Sequence, residues 1–288
     1  MKTCLSCNYN FESCDWVCPS CMKQPTIHDN RLVFSPEVAE KSEGFNAEHF
    51  AELFSLESTS FWFRARNKLI NWALRRYFSN ASNFLEIGCG TGFVLSSIER
   101  QFPNLNLYGS EVFSNGLNFA AKRVSGATLF QMDARKIPFK NEFDVIGAFD
   151  VLEHVKEDSL VLRNIHSALK PGGGIVITVP QHQFLWSKYD EYSCHIRRYS
   201  NKDLRLKVQS LGFKVKILTS FVSFLLPIVF IARLRWRNSF SEYDSMSQYK
   251  ISRLLDSSFE KVLDLERLMI SFGVRFPLGS SLLLVAIK

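Results

Sequence analysis

The chain has 288 residues, 46% of them hydrophobic and 22% charged, with no long polar or repetitive tract, which excludes a disordered, collagen-like or solenoid architecture. That length accommodates one main domain of about 200 residues with appendages. The net charge of +7 lies toward the C-terminus, where residues 196–275 hold 15 Lys and Arg against 7 Asp and Glu. Within that stretch Arg233, Arg235 and Arg237 follow an apolar run, an arrangement that suits an anionic lipid surface at least as well as nucleic acid, with a solvated face as the plain alternative. The 26 Phe are a surplus of the kind that lines ligand pockets or membrane-facing surfaces.

In chain order, the first segment carries five of the seven cysteines within 21 residues and no apolar signal-peptide core, so a metal site is expected and a secretory leader is not. Cys4-x2-Cys7 and Cys18-x2-Cys21 form two knuckles able to offer four thiolates tetrahedrally, a zinc-ribbon-like spacing, with Cys14 as a surplus thiol and the alternative ligand should Cys18 not be used. Some twenty residues bury too little apolar surface to fold alone, so structural zinc would supply the folding free energy of a head over residues 1–28. A linker over 29–45, marked by Ser35, Pro36, Glu37, Glu40 and Glu43, should follow it. Helical spacing then runs from about 46 to 78.

From there strands alternate with helices. The pattern predicts strands at 83–87, 106–110, 128–132, 143–149 and 174–179, with helices starting near 92, 114 and 159. The helix from Ser159 to Leu169 should be capped by Asp158 and stopped by Lys170-Pro171-Gly172-Gly173. After a helix at about 200–211, strands at 213–220 and 281–287 complete a seven-stranded, mostly parallel, doubly wound α/β sheet with helices on both faces. The last two strands frame an apolar cap insertion at about 217–280. Its longest apolar run, Ile217–Ala232, is too short and interrupted to cross a bilayer, so a soluble or peripheral chain is expected.

The strand at 83–87 runs directly into Gly88-Cys89-Gly90-Thr91-Gly92. Glycines at alternate positions let a ligand pack against backbone, yet Phe93 stands where a dinucleotide fingerprint needs its third glycine. Glu86, within the strand, needs donors to offset its desolvation, and a ligand amine is one. Glu111 at the end of the second strand is placed for ribose hydroxyls, Asp133 at the end of the third for an adenine amine, and Asp150 ends the fourth. Four carboxylates at the carboxyl ends of successive strands face one crevice.

On these residues the chain resembles the class I S-adenosylmethionine-dependent methyltransferases, a Rossmann-like family, from about Asn83 to Pro180. EIGCGTG at 86–92 is similar to the family's glycine motif, DVLEHV at 150–155 to the segment after its fourth strand, and LKPGGGIVITVP at 169–180 to its fifth-strand motif. The nearest likeness is the small-molecule branch that includes quinone-biosynthesis methyltransferases. The resemblance implies that Gly88, Gly90 and Gly92, with Cys89 and Thr91 between them, border the methionine part of the cofactor. It further implies that Glu111 takes the ribose, that Asp133 and Ala134 meet the adenine, and that Glu86 and Asp150 lie at the pocket edge.

Methyl transfer is an in-line displacement in which a base is needed when the acceptor carries a proton. His154, just past the fourth strand, is one candidate base, with a capping or packing role as the alternative. The segment 180–199 packs His182, Trp186, Tyr189, Asp190, His195, Arg197 and Arg198 together and reads as a substrate wall, with Asp190 and His195 as an acid-oriented base. Cys194 and the histidines there match no metal pattern. Arg197 and Arg198 would hold an anionic acceptor group or pair locally, and Arg64 or Arg66 would approach the methionine carboxylate.

The expected function is transfer of a methyl group to a small-molecule acceptor, apolar or lipid-linked, in the cytoplasm or at the inner membrane face. Its rivals are an NAD-linked oxidoreductase, disfavoured by Phe93, and a non-catalytic zinc-ribbon adaptor. A nucleic-acid or protein methyltransferase is a third, and Asp150-Val-Leu-Glu lacks the Pro-Pro-aromatic acceptor motif of the nucleic-acid enzymes.

Overall fold

The computed structural model describes residues 1–39, 49–237 and 251–288. The head contains the short ladder β1 (Lys2–Thr3) and β2 (Asn10–Phe11), followed by β3 (Thr26–His28) and β4 (Arg31–Val33). The helices α1 (Pro36–Ala39), α2 (His49–Leu56) and α3 (Phe61–Tyr77) lead into β5 (Asn83–Ile87). Next come α4 (Phe93–Gln101), β6 (Asn106–Glu111), α5 (Ser114–Arg123), β7 (Ala127–Gln131), β8 (Phe143–Phe149), α6 (Asp158–Ala168) and β9 (Leu169–Pro180). The chain continues through α7 (Lys188–Tyr192), α8 (Asn201–Ser210), β10 (Lys214–Phe221), α9 (Leu226–Arg237), α10 (Arg253–Ser271) and β11 (Ser281–Ile287).

The main sheet has the order β10-β11-β9-β8-β5-β6-β7-β4-β3. Strands β5 to β9 pair in parallel, and β11 runs antiparallel between β9 and β10. Both faces are covered, so strand side chains alternate between two apolar layers rather than between core and water. On one side Leu85, Ile146 and Ile177 pack with Val161, Leu162 and Leu204 of α6 and α8. On the other Phe84, Val145 and Val176 pack with Leu69 and Ile70 of α3 and Leu95 of α4. The strand order turns outward in both directions from β5 and β8, which opens a crevice at their carboxyl ends, where sheets of this kind take ligands.

The seven expected strands are present, but among the described residues the sheet has nine. The two others form the β3–β4 hairpin, joined by Asp29 and Asn30 at φ 50° and 58°, the left-handed pair of a two-residue turn. This hairpin lies across the expected boundary between head and linker, and it is fastened to β7 by the parallel pair Val33 and Gln131. The Gln131 side chain adds hydrogen bonds to the backbone of Ser35 at 2.9 and 2.8 Å.

Three local expectations are corrected. The helical stretch expected over 46–78 is two helices, broken at Ser58-Thr59-Ser60, residues whose short polar side chains compete for backbone hydrogen bonds; residues 46–48 lie outside the described part. Asp158 is not the cap of α6, which Glu157 occupies. Its carboxylate instead accepts from the Tyr199 hydroxyl at 2.6 Å and pairs with Lys207 and Arg197. Strand β9 begins at Leu169, five residues early, because Lys170 to Gly173 extend the ladder through a bulge opposite Phe143 to Val145.

Candidate functional site

The loop after β5 is shaped by its glycines. Gly88 has φ 66°, and a Cβ there would lie 2.6 Å from Val151 Cγ2; Gly92 has φ 76° and starts α4 where a Cβ would lie 2.9 Å from the backbone of Ala120. The loop opens into a cavity of about 450 Å³. Its lining includes Glu86, Gly88, Cys89, Gly90, Thr91 and Asp150 of the expected cofactor set, and His154 and His195 of the expected catalytic set.

Glu86 is 2% exposed, and its Oε2 has no hydrogen-bond partner among the described residues. Burial pushes its carboxyl well above the usual range. Asp150, at φ 57°, pairs with Arg66 of α3 and accepts from Thr178 Oγ1 at 3.2 Å. The Arg66 guanidinium lies 4.6 Å over the Trp62 ring and faces the cavity, whereas Arg64 is turned away onto Asp256 and Glu260 of α10.

The other expected cofactor residues stand outside the cavity lining. Gly92 is spent on the contact with α5. Glu111 is buried, and its carboxylate accepts from the amides of Gly90, Val112 and Phe113 at 3.0, 2.8 and 3.2 Å. Burial raises its pKa in spite of those three donors. Asp133 is held by the Arg135 guanidinium at 2.9 and 3.0 Å, beside Ala134. Phe50 of α2 packs next to Gly90 and Gly116, close to Glu111.

On the far wall, the segment after β9 is drawn inward by one buried carboxylate. Asp190 accepts from His195 Nδ1 at 2.8 Å, from Arg198 Nε at 2.8 Å and Nη2 at 3.1 Å, and from the Ser187 amide at 2.9 Å. Burial would raise its carboxyl, but the His195 hydrogen bond and the charges of Arg198 and Arg233 hold it down to about 2. Arg198 is thereby used inside the protein, as is Arg197 on Asp158 and the Lys156 carbonyl. Arg233 turns inward to Ser187 and over the Tyr189 ring, not outward; the side chains of Arg235 and Arg237 lie outside the described part.

His154 follows β8 in the short turn Leu152–His154. Its ring lies 4.8 Å from that of His195, and burial, aided by the neighbouring imidazole, lowers it to about 3, so it is neutral at physiological pH. His182 stacks on Phe184, and Cys194 bonds the Tyr192 carbonyl; neither reaches the Asp190 group.

Sequence reading missed two participants. Glu57 at the end of α2 accepts from Thr91 of the glycine loop and pairs with Arg123 of α5, a knot whose members are separated by 34 and 66 residues and carry no motif. Glu153 is fully buried in the cavity wall with both carboxylate oxygens unpartnered among the described residues. It sits inside the DVLEHV segment, which was the available signal.

In the head, Cys4, Cys7, Cys18 and Cys21 bring their sulfurs within 4.8 Å of one another, with Cys4–Cys21 and Cys7–Cys18 at 3.6 Å. Tetrahedral thiolates about 2.3 Å from zinc are about 3.8 Å apart, so the set fits that ion. The knuckles are alike: Asn8 N donates to the Cys4 carbonyl and Met22 N to the Cys18 carbonyl, both at 2.8 Å, with Asn8 and Met22 at φ 59° and 60°. Cys14 is exposed and apart.

A family model described as a methyltransferase domain matches residues 60–216, more than half of the chain. Among curated relatives, a ubiquinone/menaquinone biosynthesis C-methyltransferase of Desulfotalea psychrophila is 33% identical over 99 residues, 33% of this chain and 40% of that protein. A ubiquinone biosynthesis O-methyltransferase of Pseudomonas aeruginosa is 25% identical over 122 residues, 38% of this chain and 49% of the relative. The chain thus matches less than half the length of either. A solved S-adenosylmethionine-dependent methyltransferase from Thermotoga maritima shares the fold at a TM-score of 0.52 and 15% identity, covering 84% of this chain and 95% of that one. With that match running from α3 through β9 to the start of β10, and the glycine loop at the crevice, the chain belongs to the methyltransferase domain family.

Proposed function

We propose that this chain is an S-adenosylmethionine-dependent methyltransferase acting on a small, apolar acceptor, with structural zinc in its head. The observation that carries the reading is the glycine loop opening onto a cavity beside Glu86, whose unpartnered buried oxygen asks for a donor such as the cofactor's ammonium. Glu86, Gly88, Cys89, Gly90, Thr91, Gly92 and Asp150 would hold or shape the methionine end, Glu111 the ribose, and Asp133 and Ala134 the adenine. When bound, the cofactor supplies a sulfonium-activated methyl group. The protein's part is to align the acceptor and exclude water, and His195, oriented by Asp190, would take the acceptor's proton at Nε2.

The cavity is also lined by Phe61, Trp62, Phe149, Val222, Ile228 and Phe259, an apolar share that favours an apolar acceptor, alongside polar residues such as Tyr189, Tyr192 and Arg233. Beside it α9 exposes Ile228, Phe230, Ile231 and Leu234, a surface suited to resting on lipid, and no described helix is long and apolar enough to cross a membrane. The relatives named for quinone methylation make quinone-like phenols the first acceptors to screen. Calorimetric titration of the full chain with S-adenosylmethionine, its demethylated product and NAD tests the reading. Binding of the first two, weakened by Glu111→Ala and Asp133→Ala, is expected; binding of NAD alone, or of none by a folded protein, overturns it.

A further inference from the structure

The cavity wall contains a second group of potential metal ligands, independent of the cysteine head. Glu153 and His154 come from the turn after β8 and His195 from the segment after α7, and their ligand atoms lie within 4.8 Å of one another. The three are brought together by backbone hydrogen bonds as well as by packing. The Ile196 amide donates to the Glu153 carbonyl and the His195 amide to the Asp190 carbonyl, both at 2.8 Å.

Charge shows what the group lacks. Three carboxylates crowd this side of the cavity: Asp150 is answered by Arg66, and Asp190 by Arg198 and Arg233. No lysine or arginine among the described residues pairs directly with Glu153; the charges of Arg198 and Arg66 reach it only from beyond ion-pair distance, and burial still pushes its carboxyl well above the usual range. Its two oxygens are buried without a hydrogen-bond partner, and the nearest basic atom is His195 Nε2 at 4.0 Å. A buried carboxylate left this way costs several kcal/mol unless it is protonated or takes a cation.

The histidines are prepared for the second option. Asp190 accepts the Nδ1 proton of His195, which fixes the tautomer and leaves the Nε2 lone pair directed at the cavity side; a carboxylate behind a ligating imidazole is the usual outer-shell arrangement of a metal site. Neighbouring ligand atoms around an ion at about 2.1 Å are about 3.4 Å apart, so the group needs to close by an ångström or so, within the reach of side-chain rotation.

We propose that Glu153, His154 and His195 hold a divalent transition-metal ion, of the zinc or manganese class, with its remaining coordination positions open to the cavity. Two imidazoles and one carboxylate suit such ions. All three residues line the same cavity as the glycine loop, so an acceptor entering it would meet the ion through an oxygen atom. With the ion bound, His195 Nε2 is a ligand in place of its proposed role as base, and an acceptor hydroxyl ligated there releases its proton to water more readily, because the ion stabilises the oxyanion. This last step rests on the methyltransferase reading; the metal site does not.

The experiment is cobalt titration of the metal-stripped full chain, followed by visible absorption and elemental analysis. Thiolate-to-cobalt charge transfer reports the head, and weaker d–d absorption without it reports a nitrogen and oxygen site. The expected result is an ion beyond that of the head, lost in Glu153→Gln and in His195→Gln while the thiolate signal stays. Circular dichroism shows whether each variant is folded. A wild-type chain that takes no ion outside the thiolates, or a folded Glu153→Gln chain that keeps it, overturns the site. Titration of the same samples with S-adenosylmethionine separates the two readings: cofactor binding without the additional ion sinks this inference alone, and the ion without cofactor binding sinks the methyltransferase reading alone.

Discussion

The carboxylate of Glu111 accepts the amide of Gly90 at 3.0 Å, so the end of the second parallel strand holds the glycine loop of the first in position. Removing that carboxylate strands three half-buried amides, and an unsatisfied group costs up to about 1–3 kcal/mol when water cannot reach it. Glu111→Ala should therefore lower unfolding stability by about 1–3 kcal/mol, and Glu111→Gln by less, since its amide oxygen still accepts. Urea denaturation of the two variants checks the order, and equal stability of Glu111→Ala and wild type would contradict it.

Gly92 and Gly172 both have left-handed backbone, at φ 76° and 79°, but only Gly92 has neighbours in the way. A methyl group at Gly92 meets the Ala120 backbone at 2.9 Å, whereas nothing lies within 4 Å of one at Gly172. Gly172→Ala should cost about 1 kcal/mol from conformation alone, and Gly92→Ala clearly more, with α4 and α5 pushed apart. Chemical denaturation of the pair isolates the contact, and equal losses would refute it.

Chelation of the ion proposed for the head should unfold residues 1–23 without melting the main sheet, because among the described residues the head's own buried core comprises only Cys4, Phe11 and Cys18. Hydrogen exchange is the readout: protection of the Cys4 to Tyr9 and Cys18 to Lys23 turns should vanish with chelator and in Cys18→Ser. Cys14→Ser should leave it intact. Persistence of those turns in Cys18→Ser would show that the thiolates are not ligands.

Asp158 gives the fold a dependence on acid. Burial works against its charge, but hydrogen bonds from Lys207 and Tyr199 and the charge of Arg197 prevail and hold its pKa below the ordinary value. A lowered folded-state pKa contributes stability that is fully present above the unfolded value, about 3.9, and is lost as pH falls through the folded one. Wild type should thus exceed Asp158→Asn in melting temperature near neutrality, and the gap should close below about pH 4. A gap that stays constant with pH would mean that the carboxylate acts through shape alone.

Legibility in the sequence followed the range of the interactions. Strand β5, the glycine loop and β8 are local patterns of apolar residues and glycines, and their bounds were readable as such. The β3–β4 hairpin was also local, since Asp29-Asn30 between Thr-Ile-His and Arg-Leu-Val is a turn signal, but acidic and proline residues nearby pointed to a linker. The Glu57–Arg123 knot and the unpartnered state of Glu153 were not readable. Both depend on which charges the tertiary fold brings together, and a carboxylate looks the same in sequence whether it is answered or not. For Asp133 and Glu111, position at a strand end was legible, while their engagement by Arg135 and by three backbone amides was not.

The placement of β11 between β9 and β10 has a consequence for synthesis. β10 leaves the ribosome well before β11, its neighbour in the sheet, with α9 and α10 made in between. Until β11 arrives, β9 and β10 both present open edges, and Leu283 and Val285 are missing from the apolar layer that α10 covers. Unpaired edges beside exposed apolar surface are where nascent chains adhere to one another. The nascent chain should therefore be most dependent on chaperones over the interval between these two strands, and a truncation just before Ser281 should aggregate rather than fold into a smaller sheet.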